Sequence, residues 1–390
     1  MTSRKLSPAD RREWLVRPKR VVVKVGSSVL SHGGIGLHRP AIARLVKALV
    51  SLRVRGVEVI LVSSGAILAG MEVLGLTERP RDLPLKQAAA AVGQGRLMRA
   101  YEEVFQPCGL RVAQILLTQE DLRHRGRYLN ARNTLFTLLR LGVLPIVNEN
   151  DTVAVQEIQF GDNDTLSALV ANLAEADLLV ILTDTEGLFT ADPRRDAAAR
   201  LIPLVRPQDA VTSFCAEDGG SAASIGGMSS KVQAARRAAT AGIPTVVACG
   251  HEEGVLDSIL QGKNVGTFFI PSISRMQSRK RWLAFASQPR GGIMVDAGAK
   301  QALITGGKSL LASGVRATRR TFRAGDVISV VDPADREFAR GLVNYGRDEV
   351  EKIKGLRSHE IAAALGHKPY DEVVHRDNLV ILRGADGTAD

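Results

Sequence analysis

Residues 20–30 read RVVVKVGSSVL, and the fold follows from how that stretch is read. Arg20 to Val25 is a β-branched run broken by one lysine. Apolar residues at consecutive positions, rather than alternate ones, belong to a strand buried on both faces. Gly26, Ser27 and Ser28 end it as a turn, and a helix is expected from about His38 to Arg53. The next run, VEVILV at 57–62, closes in Ser63-Ser64-Gly65-Ala66. Strands are also expected at 111–117, 143–147, 178–182 and 243–248. Helices are expected at about 85–105 and 130–140, after Asp164, and at 229–241. Strand alternating with helix indicates an α/β fold whose parallel sheet is covered on both faces.

The pattern changes after Phe269. Residues 271–290 are rich in Ser, Arg, Lys and Gln and read as a linker. Beyond them, short apolar segments separated by glycines suggest a small β-rich domain, a compact barrel being one form, with a helical stretch near 348–364. The expected division is a basic flexible extension (1–19), an α/β domain (20–270), the linker (271–290), the β-rich domain (291–370) and a tail (371–390).

The 390 residues suffice for two or three domains at roughly 100–200 residues each. Aromatic residues make up only 4%, so the core must be built from Val, Leu, Ile and Ala. The formal net charge is +11, with seven basic and two acidic residues in 1–20 alone. Such a balance suits polyanions, nucleotide or nucleic acid, and equally a plain solvated surface. Cys108, Cys215 and Cys249 form no CxxC pair, which argues against a disulfide framework or zinc site and for a reducing, cytoplasmic compartment. No apolar run approaches the ~18 residues of a membrane-spanning helix. The charged N-terminus lacks the apolar centre of a secretory signal.

Several polar groups fall at the carboxyl ends of the expected strands, where open α/β sheets bind ligands. Lys24 lies in an apolar strand beside a Gly/Ser turn. Burying an ammonium without a partner is costly, whereas a lysine converging with turn N–H groups makes a phosphate site. The alternative is an edge lysine reaching solvent. Ser63-Ser64-Gly65 opens a helix and offers N–H groups to a carboxylate, or simply a serine cap. Asn148-Glu149-Asn150-Asp151 carries more polar groups than a turn needs. Asp162-Asn163-Asp164 follows Gly161 and opens an amphipathic helix with Leu166, Leu169, Val170 and Leu173 on one face. One of the three caps it, and the others remain for a substrate ammonium or for aligning lysines. Gly226-Gly227-Met228-Ser229-Ser230-Lys231 again joins glycines, a helix start and a lysine. Thr183-Asp184 begins a loop that could enclose a nucleotide. Neither GxxxxGK[ST] nor GxGxxG is present, so the nucleotide site is of neither the P-loop nor the dinucleotide type. Two lysines beside Gly-rich turns suit phosphoryl transfer, which needs in-line positioning and charge neutralisation more than covalent chemistry.

The stretches VVVKVGSSVL (21–30), VSSGAILAG (62–70), LNARNTL (129–135), PIVNENDTVAV (145–155), FGDNDTLSALVA (160–171), TDTEGLFTADPR (183–194), GGMSSKVQAA (226–235), GTFF (266–269) and SRKRW (278–282) resemble glutamate 5-kinases of the amino-acid kinase superfamily. The likeness runs from about Val21 to Asp377 and includes a C-terminal segment similar to a PUA domain. It implies a three-layer α/β/α sandwich plus a PUA domain. It also implies phosphorylation of the L-glutamate γ-carboxylate by ATP and phosphate-bound Mg2+, the first step of proline biosynthesis. By the resemblance, Lys24, Lys231 and Asp164 are catalytic, with Asp164 orienting both lysines. Ser64, Asp151, Asn163 and Asp162 bind glutamate. Lys24, Gly26, Ser27, Thr183, Asp184 and the run Ile225, Gly226, Gly227, Met228, Ser229, Ser230, Lys231 bind ATP. Ser27, Ser230 and Ile225 stand where related forms carry threonine, and Ile225 loses a hydroxyl at the ATP loop. The resemblance further implies feedback inhibition by proline, a homo-oligomer, and glutamate-5-semialdehyde dehydrogenase (glutamyl phosphate reductase) as functional partner; no membrane association is expected, on the lengths of the apolar runs.

Two rival readings remain from the sequence. One is a related kinase of N-acetylglutamate, aspartate or UMP. Asp151 with the Asp162–Asp164 cluster favours a free ammonium on the substrate, against an acetylated amino acid or a nucleotide, and the PUA-like tail also favours a glutamate 5-kinase. The other is an RNA-binding protein acting through the PUA-like segment. Against it, residues 280–390 carry only eighteen basic residues to fourteen acidic ones, with few aromatics for base stacking.

Overall fold

The computed structural model describes residues 11, 14–15, 17–31, 35–154, 162–209, 227–271 and 289–382. The chain divides into two compact units, Met1–Ile273 and Ser274–Asp390.

The first unit holds strands β1 (Arg20–Val25), β2 (Glu58–Ser63), β3 (Val112–Leu117), β4 (Leu144–Glu149), β5 (Leu178–Thr183), β6 (Leu204–Val205), β7 (Thr245–Cys249) and β8 (Thr267–Phe269). They form one sheet in the order β3-β4-β2-β1-β5-β7-β8-β6. All pairings are parallel except β7 with β8. Each strand feeds alternate residues to opposite faces. Val21, Val23 and Val25 of β1 join a core with Val59 and Leu61 of β2, closed by helix Arg39–Val54 and helix Leu83–Phe105. Val22, Ile60 and Val62 join the opposite core, closed by helices Arg125–Arg140, Asp162–Leu173 and Met228–Thr240. This is the expected three-layer arrangement. Lys24 takes its turn on the second face, among the last two helices.

Two further features position the site. The carboxyl ends of β4, β2, β1 and β5 lie side by side, although the chain visits these strands in another order. Helices Ala66–Leu74 and Leu83–Phe105 meet backbone to backbone: a Cβ on Gly70 or Gly93 would come within 1.8 Å of the Ala89 or Ala66 carbonyl oxygen. That closeness presses the helix after Ser64 against the helix bearing Gln94 and Tyr101.

The second unit is a five-stranded sheet, β10-β9-β11-β12-β13, from Val315–Arg319, Gly291–Val295, Val327–Val331, Glu337–Leu342 and Leu379–Ile381. Its separate core includes Ile293, Val330, Phe338 and Tyr345.

Several expectations need correction. The segment 1–19 is not simply a free extension. Leu15 is fully buried in the first core, and the Arg11 guanidinium lies 5.5 Å from the Phe268 ring centre and donates to the Val265 carbonyl. Charge density masked this apolar anchor. Residues 371–382 are not a tail: Val373 and Val374 are fully buried and β13 completes the sheet. GAKQALI is a helix, Ala297–Ile304, capped by the Asp296 carboxylate, which accepts from Ala299 N at 2.7 Å. The stretch 348–364 holds two helices, Arg347–Ile353 and Ile361–Leu365, with Gly355 between them at φ +81°. The expected linker lies almost wholly outside the described residues. Among the described residues, no helix is long and apolar enough to cross a membrane.

Candidate active site

Lys24, Asp164 and Lys231 come together. Lys24 Nζ lies 2.5 Å from Asp164 Oδ1, and Lys231 Nζ lies 3.5 Å from Asp164 Oδ2. All three are buried, Lys24 at the end of β1 and the others in the first turns of two packed helices. Ser230 Oγ donates to Asp164 Oδ2 at 2.6 Å and lies 2.9 Å from the Gly227 carbonyl oxygen, its alternative acceptor. Burial alone would raise the Asp164 carboxyl. The charges of Lys24 and Lys231 and the hydrogen bonds from Lys24 and Ser230 outweigh it, so Asp164 stays below its usual range and ionised. Burial lowers the Lys231 ammonium, with Lys24 adding to that, while Asp164 and the more distant Asp184 oppose it. Two ammoniums against one carboxylate, beside two helix N-termini, make a place for an anion.

The neighbouring strand ends supply the flanks. Gly26 N donates to Leu182 O at 3.2 Å, tying the β1 turn to β5, and Ser27 follows at the start of a short helix. A Cβ on Gly26 would lie 3.7 Å from Lys24 Nζ. Thr183 is buried and its hydroxyl donates to Asp184 at 3.0 Å, while Asp184 pairs with Arg194 at 3.6 Å. Gly227, Met228, Ser229 and Ser230 form the approach to Lys231. Ile225 and Gly226 fall outside the described residues, as does the side chain of Asp162.

On the other side, Asn163 Nδ2 donates to Ser64 Oγ at 3.1 Å and to Asn148 Oδ1 at 3.0 Å. Asn148 Nδ2 in turn donates to Gln94 Oε1 at 2.8 Å. Ser63 Oγ bonds the buried Tyr101 hydroxyl at 2.8 Å, which steadies the turn carrying Ser64. Gly65 follows at φ +108°, open only to glycine without strain. Asp151 follows the carboxyl end of β4. It lines a cavity of about 340 Å3 together with Gln94, Gln114, Glu149 and Asn150. Burial lifts its carboxyl to about 6, against the pull of the nearby Arg79 charge.

The sequence reading missed Gln94, Tyr101 and Arg79. A glutamine or tyrosine on an amphipathic helix carries no local sign of which strand end it will meet. Asn148 was visible within its polar cluster, though not as the hinge between Asn163 and Gln94.

A parallel sheet with two cations bridged by one carboxylate at its strand ends is the architecture of a phosphoryl-transfer enzyme, and residues 19–249 match the Amino acid kinase family. Residues 291–365 match the PUA domain. Over 368 residues the chain is 53% identical to a glutamate 5-kinase of Moorella thermoacetica, covering 94% of this chain and 97% of that one. It is 51% identical to those of Pelobacter propionicus (95% and 100% covered) and Geobacter sulfurreducens (94% and 99%). The chain belongs to the glutamate 5-kinase family.

Proposed function

We propose that this chain transfers the γ-phosphoryl group of ATP to the side-chain carboxylate of L-glutamate, giving L-glutamyl 5-phosphate and ADP, the first step of proline biosynthesis. The observation that carries this reading is Asp164 holding Lys24 and Lys231 together at the strand ends.

A γ-carboxylate oxygen attacks the terminal phosphorus, and the bond from that phosphorus to the bridging oxygen of ADP breaks. No proton is transferred, so the protein's task is positioning and charge neutralisation. Lys24 sits where it can stabilise the phosphoryl group in transit, and Lys231 the side toward the departing ADP. Asp164 keeps both side chains in place. Ser64 and Asn163 face the attacking carboxylate, and Asp151 takes the substrate ammonium. Gly26, Ser27, Thr183, Asp184 and the segment leading to Lys231 surround the nucleotide. Mg2+ arrives as part of the nucleotide substrate. Among the described residues, no three metal-ligating side chains gather.

The product is an acyl phosphate, prone to hydrolysis, so a partner reductase that consumes it belongs to this reading. So do feedback inhibition by proline, a homo-oligomer and a cytoplasmic location. The test of the reaction is incubation with ATP, Mg2+ and L-glutamate in hydroxylamine, which traps the acyl phosphate as a hydroxamate. Hydroxamate with glutamate, but not with aspartate or N-acetylglutamate, is expected. Its absence with glutamate refutes the assignment.

A further inference from the structure

Gln94 lies on helix Leu83–Phe105, and its amide is oriented by one bond. The Oε1 atom accepts from Asn148 Nδ2 at 2.8 Å, which leaves Nε2 as the free end. That nitrogen is buried and has no partner among the described residues. A buried donor left unpaired is costly, and a native site that keeps one generally supplies its partner from outside the chain. Gln94 also lines the cavity that contains Asp151.

The charged side chains of that cavity are Glu149 and Asp151, both acidic. An amino acid entering it presents an ammonium and, one carbon away, a carboxylate. Asp151 suits the first. The second needs a donor among these acidic walls. Of the other polar side chains lining the space, Thr152 donates its hydroxyl to Asn150 Oδ1, Gln114 is exposed, and the half-buried Asn150 has no nitrogen that is both buried and unbonded. Among the side chains that line the space, Gln94 Nε2 is the donor that is buried and unbonded; Arg79 Nε is also buried and unbonded, but its side chain is not part of the lining. The γ-carboxylate is not the group it would meet. That end of the substrate must reach the lysine pair, whose side is marked by Asn163 and Ser64, and Gln94 stands two hydrogen bonds away from Asn163, through Asn148.

We propose that Gln94 is a specificity-determining residue of the amino-acid site, its Nε2–H donating to the substrate α-carboxylate beside the ammonium held at Asp151. The inference rests on the glutamate reading above and adds the group that recognises the α-carboxyl.

The experiment compares the full-length protein with Gln94→Glu and Gln94→Ala, using L-glutamate and its α-amide, which keeps the γ-carboxylate and the ammonium. Gln94→Glu retains the acceptor for Asn148 and replaces the donor with a negative charge. We expect KM for glutamate to rise about tenfold or more in that variant, with KM for ATP little changed. The preference for glutamate over the α-amide, as a ratio of kcat/KM, should fall in both variants. Loss of packing alone would weaken both substrates alike and leave the ratio where it was. An unchanged ratio in both variants overturns the role of Gln94 while leaving the glutamate reading intact. Wild-type protein that turns over neither substrate overturns both.

Discussion

Lys24 occupies a position that its strand would otherwise fill with valine or isoleucine, and its burial is tolerable because Asp164 lies 2.5 Å away. Replacing it by methionine keeps the bulk and removes the charge at the phosphoryl group. We expect Lys24→Met to lower kcat by about 100-fold or more while the fold persists; near-normal kcat in a folded variant would contradict the role. Asp151 gives a second expectation, with a definite sign. Its carboxyl is raised to about 6, by burial first and against Arg79. Only the ionised form attracts an ammonium, so glutamate binding weakens as pH falls through about 6, and kcat/KM for glutamate should show an acidic limb there. Stability runs the other way: with the folded value above the ordinary one, native Asp151 favours the protonated form, and its contribution is lost as pH rises through that range. Asp151→Ala should raise KM for glutamate and abolish the limb in a pH series of kcat/KM. A limb that persists in the variant belongs to another group.

At the scale of elements, the site depends on helices that the strand ends present and hold. Asp164 and Lys231 sit in the first turns of two helices packed on one face of the sheet, so their approach to Lys24 is set by that packing. The helix pair Ala66–Leu74 and Leu83–Phe105 holds the other side through its glycines. Alanine is the better helix former by up to ~1 kcal/mol, yet a Cβ at Gly93 would lie 1.8 Å from the Ala66 carbonyl oxygen. The clash should win: we expect Gly93→Ala to destabilise the protein by about 1–3 kcal/mol, read by urea or thermal unfolding. An unchanged or raised melting temperature would show that the helices can part without cost. Strand existence and helix type in this unit were legible in the sequence, because β-branched runs and helical periodicity are local properties. The second unit was less so. GAKQALI is a short run set among glycines, and its helix is decided by the Asp296 cap and by packing on the sheet.

For the whole molecule, the two units have separate cores, and every residue placed at the phosphoryl-transfer site belongs to the first. A chain ending after Gln288 should therefore keep its glutamate-dependent turnover, measured by hydroxamate formation. A folded but inactive truncation would show that the C-terminal unit takes part in catalysis. The sequence by itself determined the α/β class, the strands whose ends carry polar groups, and the presence of two lysines beside Gly-rich turns, since all of these are written in neighbouring residues. Only the tertiary structure decided that β4, β2, β1 and β5 stand side by side, at what distances Asp164 meets the two lysines that the family resemblance assigned to it, and that Gln94 reaches Asn148. The reason is physical: hydrogen bonds and ion pairs act over a few ångströms, and which distant segments come that close is settled by how the layers pack on the sheet.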